Sequence, residues 1–183
     1  VARSMGVDIR LGEGVEEILF EDRRAVGVRT ATERHACDAL VVNADFADAM
    51  RRLGPNGLRR RWSDGKLEKK KYPCSTYMLY LGVDGRYDDL AHHTIFLADD
   101  YRQNLADIET RHMLSDSPSL YVHNPCATDP AMAPPGMSSL YVLVPVTHQH
   151  PNVDWETQQQ HFRELTLRQL GRIGLDDLES RIR

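Results

Sequence analysis

The feature that most constrains this chain is STYMLYLGV, residues 75 to 83, in which large apolar side chains occupy both alternations. A strand sends successive side chains to opposite faces of its sheet, so this one offers apolar surface on each side. One face then packs on helices, and the other either closes a sandwich core or lines a long hydrophobic cavity. Further strands are predicted at HHTIFLA (92 to 98), SLYVHN (119 to 124) and SLYVLVPV (139 to 146). A helix over 99 to 111 and a Pro-Pro-Gly turn at 134 to 136 fall between them. After Asp154, the residues Trp155, Phe162, Leu165, Leu170 and Ile173 form an approximate apolar stripe, predicting a helix that Gly174 ends.

The residues before Tyr72 read differently. VDIRL (7 to 11) and VEEILF (15 to 20) alternate as half-buried strands, and EDRR (21 to 24) is a polar hairpin tip. Ala25 to Thr30 return as a strand, Glu33 to Asp38 form a polar link, and ALVVNAD (39 to 45) follows. That last run is apolar on both sides, which suits a strand covered on both faces in a parallel sheet. Asp45 is placed to cap the helix FADAMRRL, and Gly54-Pro55 to stop it. The expected organisation is a partial α/β domain over 1–53, a basic link over 54–71, and an α+β domain over 72–183. Its sheet is expected to be mixed and largely antiparallel, with flanking helices.

LRRRWSDGKLEKKK, residues 58 to 71, concentrates basic charge in a chain whose net charge is -4. Two readings stand: a solvated link, or a patch in which Arg59, Arg60 and Arg61 meet anionic headgroups with Trp62 as interfacial anchor. The overall acidity argues against nucleic acid as a partner. No stretch approaches the roughly 20 apolar residues of a membrane span, and the first residues lack a signal peptide's apolar core. Cys37, Cys74 and Cys126 are odd in number and contain no C-x-x-C pair, so neither a disulfide framework nor a structural zinc site is expected. These features predict a chain of the reducing cytoplasm, peripheral to a membrane if the basic patch is used. The absence of an initiator Met and the ending LESRIR suggest a segment of a longer protein.

Motifs for phosphate loops, zinc proteases and serine elbows are absent. His148 and His150 lack an evident third ligand, and surface histidines are the better reading. His92 and His93 open a strand, so their side chains should lie on opposite faces. Cys74 and Cys126 have no neighbouring base and read as packed thiols. No catalytic or metal-ligating residue emerges.

Several blocks together carry a resemblance. GVDIRLGEGVEEILFEDRRAVGVRT with DALVVNADFADAMRRL, then CSTYMLYLGVDGRYDDLAHHTIFLADDYRQNL, SLYVHNPCATDPAMAPPG and SLYVLVPV with the later DWE, resemble the carotenoid desaturases of the bacterial phytoene desaturase type. HHTIF, DPAMAPPG and LYVLVP in combination are the specific part; VVNAD recurs across amine-oxidase-like flavoproteins. The resemblance implies an FAD-dependent oxidoreductase acting on a lipid-soluble carotenoid or other polyisoprenoid. Val15, Asn43 and Ala44 are implied as FAD neighbours, and Tyr77, Tyr80, His92 and Phe96 as substrate contacts. The glycine-rich dinucleotide loop and C-terminal flavin segment of that family have no counterpart here, so this portion alone is expected to be inactive and to hold no FAD. Rivals are a retinol saturase-like flavoprotein and a hydrophobic-ligand binding module without redox function.

Overall fold

The computed structural model describes residues 1–59 and 61–183; Arg60 lies outside the described residues. The chain divides into two compact units, Val1–Lys71 and Tyr72–Arg183. Both are built on antiparallel sheets with helices, an α+β architecture.

In the first unit, β1 (Val15–Glu21), β2 (Arg24–Thr30) and β3 (Arg34–Ala36) form a meander in that order. The turn between β1 and β2 pairs Glu21 with Arg24, and both central residues, Asp22 (φ 44°) and Arg23 (φ 71°), are left-handed. That backbone twist matches the twist of the flanking strands, which is why a two-residue turn closes the hairpin. Gly27 faces β3 so closely that a Cβ there would lie 2.4 Å from the His35 carbonyl oxygen, and glycine alone permits this pairing. Helix α1 (Phe46–Leu53) packs Ala49 and Leu53 on Ile18, forming a small core flanked by Phe20, Val28 and Leu40. Asp45 Oδ1 accepts from the Asp48 amide at 2.9 Å, and Gly54 turns extended to end the helix. Helix α2 (Asp64–Glu68) follows, with Leu67 buried.

Three expectations for this unit are corrected. Residues 7 to 11 form no strand, and Val7, Ile9 and Leu11 are exposed. The polar link at 33 to 38 contains β3, because Gly27 and Val28 offer it a partner edge. Residues 39 to 42 form no strand either, and Val41 is 90% exposed. A strand buried on both faces needs a neighbour on each edge, and no strand of the three-stranded meander lies beside this run.

The second unit contains β4 (Ser75–Asp84), β5 (His93–Phe96), α3 (Tyr101–Ala106), β6 (Leu120–His123), β7 (Met137–Val146), α4 (Trp155–Gly171) and α5 (Leu178–Arg181). Its sheet has the order β4-β7-β6-β5, antiparallel throughout. Strands β4 and β7 pair along their full ten residues, from Ser75–Val146 to Asp84–Met137. On its other edge, β4 gains one bridge from Val83 to Ile182, and the Arg183 amide donates to the Gly82 carbonyl. Helix α3 widens into a π-type turn over Asp107–Arg111, which His112 ends in a left-handed conformation (φ 51°).

Alternation along β7 is strict: Ser138, Leu140, Val142, Val144 and Val146 are buried, and the intervening residues are partly exposed. The buried set meets Leu81, Val83, Leu120 and Val122 within the sheet, and Phe162, Leu165 and Leu170 from α4. Tyr77 belongs to this covered face: its ring stacks on Trp155 at 5.7 Å and meets the edge of Phe162 at 5.2 Å. Tyr80, one alternation away, is 76% exposed.

Tyr77→Ala is therefore expected to destabilise the second unit by about 2–4 kcal/mol, and Tyr80→Ala by about 1 kcal/mol or less. Denaturant midpoints measure both, and equal losses would contradict the two-faced sheet. Burial also raises the Tyr77 phenol above its ordinary pKa. The unfolded chain thus deprotonates more readily, so this contribution is complete below about pH 10 and is lost as pH rises through the higher folded value. Tyr77→Phe, which keeps the ring, should flatten that alkaline loss in a pH series of unfolding curves.

Candidate binding face and histidine cluster

The uncovered face of the four-stranded sheet follows from register. Tyr80 pairs with Tyr141, Tyr141 with His123, and His123 with His93, giving one row across all four strands. Met78, Leu143, Tyr121 and Ile95 form the adjacent row. Rings touch along and between these rows: Tyr80–Tyr141 centroids lie 5.2 Å apart, Tyr121–Tyr141 6.1 Å and His93–Tyr121 5.9 Å. Ile95 is 71% exposed, and Leu97 beyond it is exposed too. The result is an aromatic and aliphatic platform whose phenols and imidazoles are its main polar groups.

At the β5 margin of this platform, His92, His93 and His123 converge. The His92–His93 centroids are 4.3 Å apart, the His92–His123 centroids 4.7 Å and the His93–His123 centroids 5.2 Å. The expectation that His92 and His93 lie on opposite faces fails, because His92 precedes β5 in a bend and escapes strand alternation. Its ring is held there by a hydrogen bond between Nδ1 and the Thr128 hydroxyl, while its carbonyl accepts from the Asn124 amide. Burial, and then repulsion from His92 and His93, push His123 below the ordinary imidazole pKa. His112, His148 and His150 form a second contact group, with His112 stacked on His150 at 4.5 Å. His112 was invisible as a partner in sequence because only the turn after α3 brings it there.

The candidate substrate residues are not brought together. Tyr80 stands on the open face and His92 at its margin; Tyr77 lies on the covered face, as does Phe96, which packs against the core beneath the Arg172 guanidinium at 4.8 Å. Of the flavin candidates, Val15 begins the edge strand β1, and Asn43 and Ala44 are exposed just ahead of α1. Val42 lines a cleft of about 410 Å³ with Ile18, Phe20, Met50, Leu58 and Trp62. Cys126 is buried as a packed thiol, whereas Cys74 is exposed, contrary to expectation, because it precedes β4 outside the sheet.

The basic segment is also rearranged. The Arg59 side chain is only 7% exposed: Nε donates to the Gly54 carbonyl at 3.0 Å, and Nη1 donates to the Trp62 carbonyl at 3.3 Å and Asp64 Oδ1 at 2.8 Å. It closes the turn between α1 and α2 and does not face outward. That hydrogen bond holds the Asp64 carboxyl below its usual range. Trp62 meets Phe46 edge-on at 5.1 Å and lies beneath Lys70, so its ring is already partly engaged. Arg61 is exposed.

With fold and platform defined, the chain is an α+β chain whose larger unit carries a one-sided antiparallel sheet. No protein-family model matches it. It is 43% identical, over its whole length, to an all-trans-zeta-carotene desaturase of Myxococcus xanthus, covering 35% of that protein. It is 40% identical over 97% of its length to a 4,4'-diapophytoene desaturase of Methylomonas sp, again 35% of the relative. A lycopene-forming phytoene desaturase of Pseudescherichia vulneris is 38% identical over 87% of the chain and is covered to 33%. Among solved structures, an oxidoreductase from Methanosarcina mazei aligns with a TM-score of 0.49 and 20% identity, over 87% of this chain and 33% of that one. Over nearly its whole length the chain is thus similar to carotenoid desaturases of the phytoene desaturase type. It spans about a third of the length of the curated relatives it matches. Among the described residues no helix is long and apolar enough to cross a membrane.

Arg59→Ala should loosen the first unit by about 1–3 kcal/mol, because it leaves two carbonyls and a carboxylate without their donor. Arg61→Ala should change stability by less than about 0.5 kcal/mol. Proteolysis rates within residues 54 to 71 distinguish the two; similar rates would remove the structural role of Arg59.

Proposed function

We propose that this chain is the mainly substrate-binding portion of an FAD-dependent desaturase that removes hydrogen from a long polyisoprenoid of the carotenoid class. The single observation that carries this reading is the open platform, a sheet face that leaves Tyr80, Ile95 and Leu97 exposed and Tyr141 half-buried while the opposite face packs its apolar residues on α4. The names of the relatives support the reaction class and the lipophilic substrate.

Desaturation removes two hydrogens from adjacent carbons, one as hydride and one as proton, and a bound flavin would accept the hydride. The protein's task is to hold an apolar chain in one register and exclude water, which needs shape and few polar groups. A flat polyene fits beside rows of rings 5–6 Å apart, so Tyr80 and Tyr141 are assigned to position it and Ile95 to extend the wall. His92 borders this surface, and Tyr77 and Phe96 act beneath it by holding the sheet on α4.

Residues 1–53 are assigned to the flavin-binding domain, 54–71 to the link and 72–183 to the substrate domain. Val15 on an edge strand, and the exposed Asn43 and Ala44, fit the periphery of an FAD site. The Asp45 carboxylate at the first turn of α1 would repel a pyrophosphate, so the phosphates are held elsewhere. Membrane contact is assigned to Arg61 with Lys69 and Lys70, all exposed, and Trp62 at their centre; Arg59 is withdrawn from that surface, and Arg60 lies outside the described residues.

In the full-length enzyme, Tyr80→Ala and Tyr141→Ala should lower turnover about tenfold or shift the products while changing the melting temperature little. If both variants only destabilise, the platform is not the substrate wall. The purified 183-residue chain should carry no stoichiometric flavin absorbance.

A further inference from the structure

Among the described residues, two groups of three side chains bring one ligand atom each within 4.8 Å of one another: Glu13, Glu33 and His35, and His92, His93 and His123. The first is already neutralised, because the Arg10 guanidinium pairs with Glu33 and lies 3.8 Å from Glu13. The second contains no cation and no carboxylate. It consists of three imidazoles, the ligand set that suits zinc, copper and nickel and does not suit magnesium or calcium.

The histidine geometry has the form of a preorganised site. His92 Nδ1 hydrogen-bonds the Thr128 hydroxyl, and His93 Nδ1 hydrogen-bonds the Tyr121 hydroxyl at 2.8 Å. An imidazole that gives its Nδ1 proton to an oxygen keeps the Nε2 lone pair for a metal, and such outer contacts also fix the ring's direction. The Nε2 atoms of His92 and His123 face each other at 2.9 Å. Two imidazole nitrogens at that distance need something electrophilic between them. In the metal-free protein this is a shared proton, and in a tetrahedral site it is an ion about 2.0–2.1 Å from each. The rings separate by only a few tenths of an ångström to admit it. His93 and His123 are direct cross-strand neighbours, so two of the three ligands are placed by the β5–β6 register itself.

We propose that His92, His93 and His123 bind a divalent transition metal of the zinc type, with the fourth coordination position open on the exposed side of His93. The ion stands at the end of the Tyr80–Tyr141–His123–His93 row, where its open position is available to water or to an oxygen-bearing ligand on the platform. Both rings bind as neutral imidazoles: the ring proton that bridges the two Nε2 atoms moves to Nδ1 of His123, which frees both Nε2 lone pairs for the ion. This proposal is independent of the desaturase reading, since it concerns binding alone.

The test is zinc binding to the 183-residue chain by calorimetry and by competition with a chromophoric chelator. It is done in a His35→Ala/His148→Ala/His150→Ala background with Cys37→Ser and Cys74→Ser, which dismantles the Glu13–Glu33–His35 group and the second histidine contact group and removes the two thiols that are not buried. One ion per chain is expected, with a zinc-dependent rise in melting temperature. His93→Ala, at an exposed position, and His123→Ala should each weaken binding at least 100-fold. Thr128→Val, which leaves all three ligands in place, should weaken it about 10–100-fold. Cobalt in place of zinc should give the visible bands of a four-coordinate site in the background protein and lose them in His93→Ala. If His123→Ala fails to fold, the His93→Ala and Thr128→Val affinities decide. No binding up to millimolar zinc, or affinities unchanged in both of those variants, would overturn the proposal.

Discussion

Everything in the larger unit depends on the pairing of β7 between β4 and β6. Because β7 alternates without a bulge over ten residues, each side chain's face is set by the parity of its position. Even-numbered β7 residues enter the core with α4, and odd-numbered ones line the platform. A slip of one residue would place Tyr141 and Leu143 against Phe162 and Leu170 and turn Leu140 and Val142 to the outside. The cost of burying the wrong set holds the register. That same register places His123 opposite His93 and Tyr80 opposite Tyr141, so the platform's geometry is a by-product of core packing.

How much of this was legible in sequence depends on how local each cause is. The β1–β2 turn, the Asp45 cap and the Gly54-Pro55 stop are decided within a few residues, and each was readable. The long strands were readable from their apolar runs, although which face would be covered was not, since that depends on α4 returning from far along the chain. ALVVNAD misled because its apolar pattern reports a demand for neighbours, and the meander beside it does not meet that demand. Arg59 misled for the opposite reason: a basic run suggests a solvated surface, yet the turn at 54 to 64 folds one of its guanidiniums inward onto two carbonyls. The site was the least legible part. His92 needs Thr128, and His112 needs the turn after α3, before either cluster exists.

The two units differ in how much they invest in a core. The smaller gathers only Ile18, Ala49 and Leu53 into a core cluster, with Leu67 buried apart from it, and leaves Val41, Val42 and Phe46 exposed. The larger encloses fourteen apolar residues in one cluster, from Leu81 to Leu178. A core of the second size supports independent cooperativity, whereas one of the first size is marginal. On this difference in core size, local opening is expected to start in the smaller unit.

The bridge from Val83 to Ile182, with the Arg183 amide on the Gly82 carbonyl, occupies one end of the outer edge of β4. The rest of that edge, from Ser75 to Leu81, carries Tyr77, Met78 and Leu79 beside unpaired backbone groups. An edge of this composition is a template for another strand, and a short pairing at one end shortens the template without removing it. The Val83–Ile182 bridge thus acts as a stop on a seam: while it holds, an incoming strand meets fewer consecutive backbone groups along β4, and its loss would lengthen the run that such a strand could follow.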